Sequence, residues 1–158
     1  MNAALTSLIA IAGTLLGAAL QHYTATRTHQ AATAEARRTE LKTAAHAFVT
    51  ALTAYREQRL ARWELQHPAP GTPAPSREEL AASKTAVRAA RTTVNTALIN
   101  ARLLAAHRAL APYAHTALDA TYALKKAADR NELEQLHRTV LDAQDAYLDA
   151  AADVIAEQ

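Results

Sequence analysis

The sequence predicts an all-α protein in which an N-terminal transmembrane helix runs into an antiparallel bundle of three long helices, the middle one kinked or broken at Pro112. Three observations carry that expectation. From Met1 to Leu20 there is no charged residue, and 14 of the 20 residues are apolar. Beyond that stretch, apolar residues recur at spacings of three and four, while β-branched runs of period two are absent. Turn-forming residues gather in one place, with four of the five prolines between 68 and 75. The expected organisation is an anchor over 1–26, a first cytoplasmic helix over 27–66, a Pro-rich linker over 67–76 and a helical hairpin over 77–158 that completes the bundle.

About 20 helical residues at roughly 1.5 Å each reach across a hydrocarbon core of about 30 Å, which is why the first stretch reads as a membrane span. A cleaved signal peptide should open with basic residues, and none precedes this run. A buried helix of a soluble protein would more often show a polar stripe. The basic residues Arg27, Arg37, Arg38 and Lys42 follow the span, so the positive-inside rule expects a single-pass protein of the cytoplasmic membrane with its N-terminus outside and its body cytoplasmic. Gly13 and Gly17 form a GxxxG that flattens one helix face, the expected contact for association of membrane helices and hence for a homo-oligomer.

Leu41, Ala45, Phe48, Leu52 and Tyr55 mark the buried stripe of the first cytoplasmic helix, widened by Val49, Leu60 and Trp63. His67 to Pro75 cannot be helical, because proline lacks the backbone donor and clashes with the preceding turn. Ser76 with Glu79 is a capping box opening the next helix. Its stripe starts at Leu80, Val87, Val94 and Leu98, and the three-four spacing continues from Leu103 through Leu110, Tyr113 and Ala117 to Leu124. Because that phase crosses Pro112 unbroken, a kinked continuous helix is expected over a break. Asp129 with Glu132 resembles a second cap, and Leu133, Leu136, Val140, Tyr147 and Val154 form the last seam.

Composition excludes several chemistries. There is no cysteine, so neither disulfides nor thiolate catalysis is available. Outside the anchor Gly71 is the only glycine, so no Gly-rich loop can cradle a nucleotide. None of the three serines sits on the strained turn that a hydrolase nucleophile needs. The chain therefore reads as a non-enzyme that needs no cofactor.

Charge is uneven: residues 1–111 hold thirteen Lys or Arg against six Asp or Glu, and 112–158 hold four against nine. Lys84, Arg88, Arg91 and Arg102 lie near one line on the second helix, and Asp142, Asp145, Asp149 and Asp153 near one line on the last. Salt bridges between these two faces are the expectation, setting orientation more than stability. The alternative for the basic face is a nucleic acid or an acidic partner. A third reading is a bundle metalloprotein, prompted by Glu64-Leu-Gln-His67 and Glu134-Gln-Leu-His137, which repeat the Glu-x-x-His of di-iron bundles. The two copies fall at opposite ends of an antiparallel bundle, so they are not expected to converge on a metal.

Ile9–Gly17 (IAIAGTLLG), Gln21-His-Tyr23, Ala34–Leu41 (AEARRTEL) and Ala54–Arg59 (AYREQR) together resemble the start of KilB-type proteins of actinobacterial conjugative plasmids. The resemblance covers mainly the first 65 residues. It implies a small membrane protein that assists plasmid transfer, in particular spread between cells of a mycelium, without catalysis of its own. Three functions follow in order of preference: a membrane-anchored, cytoplasm-facing helical scaffold that meets other proteins of the transfer apparatus, a DNA-binding accessory protein at the membrane, and the metalloprotein.

Overall fold

A computed structural model describes residues 2–104 and 108–157, with the backbone alone for residues 2–26, 28 and 31. Helices run over Asn2–Gln66 (α1), Arg77–Arg102 (α2), Ala111–Ala123 (α3) and Arg130–Ala156 (α4), with a turn of 3-10 helix at Leu124–Lys126. Packing divides the chain into residues 1–39 and Glu40–Gln158. In the first unit Thr33 donates to the His29 carbonyl at 2.8 Å, and Arg38 lies 3.9 Å from Glu35.

The expected membrane span does not stand. No helix among the described residues is long and apolar enough to cross a membrane. From Arg27 onward the longest uncharged stretch is 43–55, only about 20 Å of helix. The single-pass localisation, with the N-terminus outside and the body cytoplasmic, is withdrawn with the span that supported it. The stretch that prompted it, Gly13 and Gly17 included, lies outside the residues whose side chains are described.

The second unit is an up-down-up-down bundle. Helix α1 stops at Gln66, the prolines hold 67–76 out of helix, and Gly71 takes the positive φ of 85° that a side chain would resist. The capping box then restarts the chain: Ser76 Oγ accepts from the Glu79 amide at 3.1 Å, and the Glu79 carboxylate accepts from the Ser76 amide at 2.7 Å. Hydrogen bonding from the Ser76 amide, and then from the Ser76 side chain, holds the Glu79 carboxyl below its ordinary range. Arg62 near the end of α1 reaches the Leu80 carbonyl at the start of α2, and Ala44, Ala47 and Ala51 share a groove with Thr92, Thr96 and Asn100. Low numbers on one helix meet high numbers on the other, so α1 and α2 are antiparallel.

Three long helices were expected, and the described residues of the body form four. Helix α2 ends at Arg102, and Leu103, expected on the seam, is 80% exposed. Pro112 lies in the first turn of α3, where a missing N–H costs nothing because that donor has no helical acceptor. Leu110, Ala117 and Leu124, seven apart, are fully buried, so the spacing that crossed Pro112 is α3's own stripe. Helix α4 opens on Asp129, whose carboxylate accepts from the Glu132 amide at 2.8 Å.

Two apolar clusters fill the bundle. One gathers Leu41, Phe48, Leu52 and Tyr55 of α1 with Val94 of α2, Ala114 of α3 and Tyr147 of α4. Phe48 and Tyr147 meet at 4.8 Å between ring centroids, tilted by 55°. The other joins Trp63 to Leu124, Ala127, Leu133 and Val140. Alanine at many contact positions lets the backbones approach closely.

A basic groove as candidate functional site

The α1–α2 hairpin brings together cations that are distant in sequence. A groove of about 270 Å³ is lined by Arg59 and Arg62 of α1, Lys84, Val87, Arg88 and Arg91 of α2, Tyr122 at the end of α3 and Lys125 in the 3-10 turn. No carboxylate lines it, and none of its six cations forms an ion pair among the described residues.

Each wall is held by a definite contact. Arg62 donates to the Leu80 carbonyl at 3.1 Å and to the Ser83 hydroxyl at 2.9 Å, tying α1 to the first turns of α2. Arg59 donates twice to the Tyr55 hydroxyl, at 3.0 and 2.7 Å, so its guanidinium plane is fixed from beneath by a buried ring. Lys84, Arg88 and Arg91, at i, i+4 and i+7, share one exposed face of α2. Tyr122 is the centre: Lys125 Nζ lies 3.8 Å from its ring centroid, and the guanidinium carbons of Arg59 and Arg91 lie at 5.1 and 5.3 Å. The negative face of the ring offsets part of the repulsion between them. Hydrogen bonding from Lys125, then its charge and those of Arg91 and Arg59, hold the Tyr122 phenol below its ordinary range.

Of the basic residues expected on α2, Lys84, Arg88 and Arg91 are brought together here. Arg102 is not: it is the last residue of α2, about 16 Å further along the axis than Arg91. Arg59, Arg62, Tyr122 and Lys125 were not anticipated. A signal for the first two was present, because folding the chain about the middle of the 67–76 linker sets residues 59 and 62 against about 84 and 81. Tyr122 and Lys125 had no such signal, since their place depends on the break before α3.

Asp142, Asp145, Asp149 and Asp153 are all exposed on α4, and none pairs with the basic face of α2. The salt bridges expected between the two faces are therefore absent among the described residues. The reason is the fourth helix: α4 turns Leu133, Val140, Tyr147 and Ala151 inward and packs closely on α3, leaving its acidic side to solvent. Arg27, Arg37 and Lys42 are exposed and Arg38 is half-buried; with the span withdrawn, the juxtamembrane role expected of them loses its basis.

The two Glu-x-x-His segments do not converge. His67 stacks on Trp63 at 4.2 Å, and Glu134 lies 3.7 Å from Arg130. No group of three His, Asp or Glu among the described residues could hold a metal ion.

Among known proteins, the family of KilB plasmid transfer proteins matches residues 42–155. No curated protein and no solved structure matches. The matched part begins after most of the residues that prompted the resemblance; of those, only Ala54–Arg59 falls inside it. It takes in the four helices of the second unit and every residue of the basic groove, well over half of the chain, and the chain therefore belongs to the KilB plasmid transfer protein family.

Proposed function

We propose that this chain serves plasmid transfer as a non-catalytic helical interaction protein whose basic groove docks an anionic partner. The observation that carries the reading is the groove itself: six cations drawn from three elements, gathered without a carboxylate to offset them. Such a gathering raises the energy of the free protein through like-charge repulsion, and an anion relieves it. The bundle acts as a scaffold here, because Arg59 and Arg62 are held in place by Tyr55, Leu80 and Ser83 before any partner arrives. Side chains ordered in advance lose little entropy on binding. A non-catalytic role is supported by the lining, which offers cations and one phenol but no carboxylate or imidazole to move a proton.

The test is plasmid transfer between mating cells carrying Arg88→Glu with Arg91→Glu. Both residues are exposed, so the thermal melt should match the parent, and transfer should fall. Arg88→Lys with Arg91→Lys, which keeps the charge, should restore most of it. Transfer at parental frequency in the Glu variant, with the protein present at parental level, overturns the reading.

A further inference from the structure

We infer that the anion taken by the groove is the phosphodiester backbone of DNA; this rests on the docking role proposed above and goes further by naming the partner. The length of the cationic row is the first argument. Lys84 to Arg91 spans seven residues, about 10 Å of helix, long enough to reach at least two successive phosphates of one strand. Arg59, Arg62 and Lys125 form the facing wall, so the strand is flanked by charge from both sides.

The groove also lacks an aliphatic anchor for a protein partner. A protein partner needs an apolar centre to its interface, with charge at the rim. In this groove the one aliphatic lining residue is Val87, and it is 6% exposed, already spent on the core. Backbone recognition has no such need, because its free energy comes largely from release of the counterions condensed on the nucleic acid. The lining chemistry agrees: four of the six cations are arginines, whose planar fork grips a phosphate through two parallel hydrogen bonds.

A second copy of this chain is the competing occupant, since α4 carries an exposed acidic side. That side is bordered by Leu141 and Leu148, 39% and 42% exposed, which would meet a lining whose one aliphatic side chain, Val87, is already buried. The charges complement each other and the surfaces do not, so DNA is favoured. Contacts made to phosphates position a strand without reading its bases.

The experiment uses the full chain and labelled duplexes of two unrelated sequences, with affinity measured over a series of salt concentrations. Binding should be alike for the two sequences, and log affinity should fall linearly as log salt rises. Arg88→Gln with Arg91→Gln should make that slope shallower by about two, and Lys125→Gln by about one. Arg88→Lys with Arg91→Lys should leave it near the parent value. Polyglutamate at equal charge concentration should compete weakly. Equal competition by polyglutamate overturns the DNA assignment and leaves anionic docking standing. So does a salt-sensitive dimer in light scattering that Arg88→Gln with Arg91→Gln abolishes. DNA binding that the Gln variants leave intact removes the groove from DNA recognition, and binding of none of the three probes overturns both readings.

Discussion

Trp63 Nε1 donates a buried 2.9 Å hydrogen bond to the carbonyl oxygen of Ala127, 64 residues away, and so pins the end of α1 to the corner between α3 and α4. The same corner carries Lys125, two residues before that carbonyl. The groove's third wall is therefore positioned by a single long-range bond as well as by packing.

Replacing Trp63 by Phe keeps an aromatic ring in the second cluster but leaves the Ala127 carbonyl unpaired. A buried acceptor without a donor costs about 1–3 kcal/mol, which should appear as a lower urea midpoint with an unchanged slope. A midpoint equal to the parent's means that the corner is held by packing alone.

Phe48 is fully buried against Tyr147, and Phe48→Ala should cost about 3–5 kcal/mol in the same measurement. Ile99, 59% exposed near the end of α2, is the matched control: Ile99→Ala should stay within about 0.5 kcal/mol. Similar losses for both would mean that the face around Ile99 is covered in solution.

Burial pushes the Tyr147 hydroxyl up to about 12. In the unfolded chain a tyrosine ionises near about 10, so the folded state holds this proton more tightly. Its contribution to stability is complete below about pH 10 and is lost as the pH climbs towards 12. Chemical melts across that window should show stability falling with pH, and Tyr147→Phe should flatten the fall. An unchanged slope in the variant would assign the alkaline loss to other groups.

Tyr122 shifts the other way, lowered by Lys125, Arg91 and Arg59. Below its pKa the phenol is neutral and the groove keeps its full charge; above it a phenolate cancels one cation. Affinity for a polyanion should therefore drop as the pH rises, beginning below the ordinary tyrosine range. Tyr122→Phe should remove that drop from the range in which the phenol titrates. Superimposable pH profiles for parent and variant would show that Tyr122 does not titrate within the occupied groove.

By itself the sequence determined the helical class, the stop at the prolines, the caps at Ser76 and Asp129, and most of the core from Leu41 through Tyr55 and from Leu133 through Tyr147. These are local matters of periodicity, missing backbone donors and side chains within three residues of the groups they cap. It also showed the row Lys84, Arg88 and Arg91, because spacing along one helix is enough to align side chains. The break before α3 was decided only by tertiary packing: a three-four pattern reads the same across a kink or a fresh start, and what selects between them is whether Leu103 or Leu110 finds a core to enter. That choice created the fourth helix, turned the aspartates of α4 away from the basic row, and carried Tyr122 and Lys125 to Arg59 and Arg91. A groove whose walls come from three elements has no signature along the chain, since its charges become neighbours only once the hairpin and the α3–α4 corner have closed.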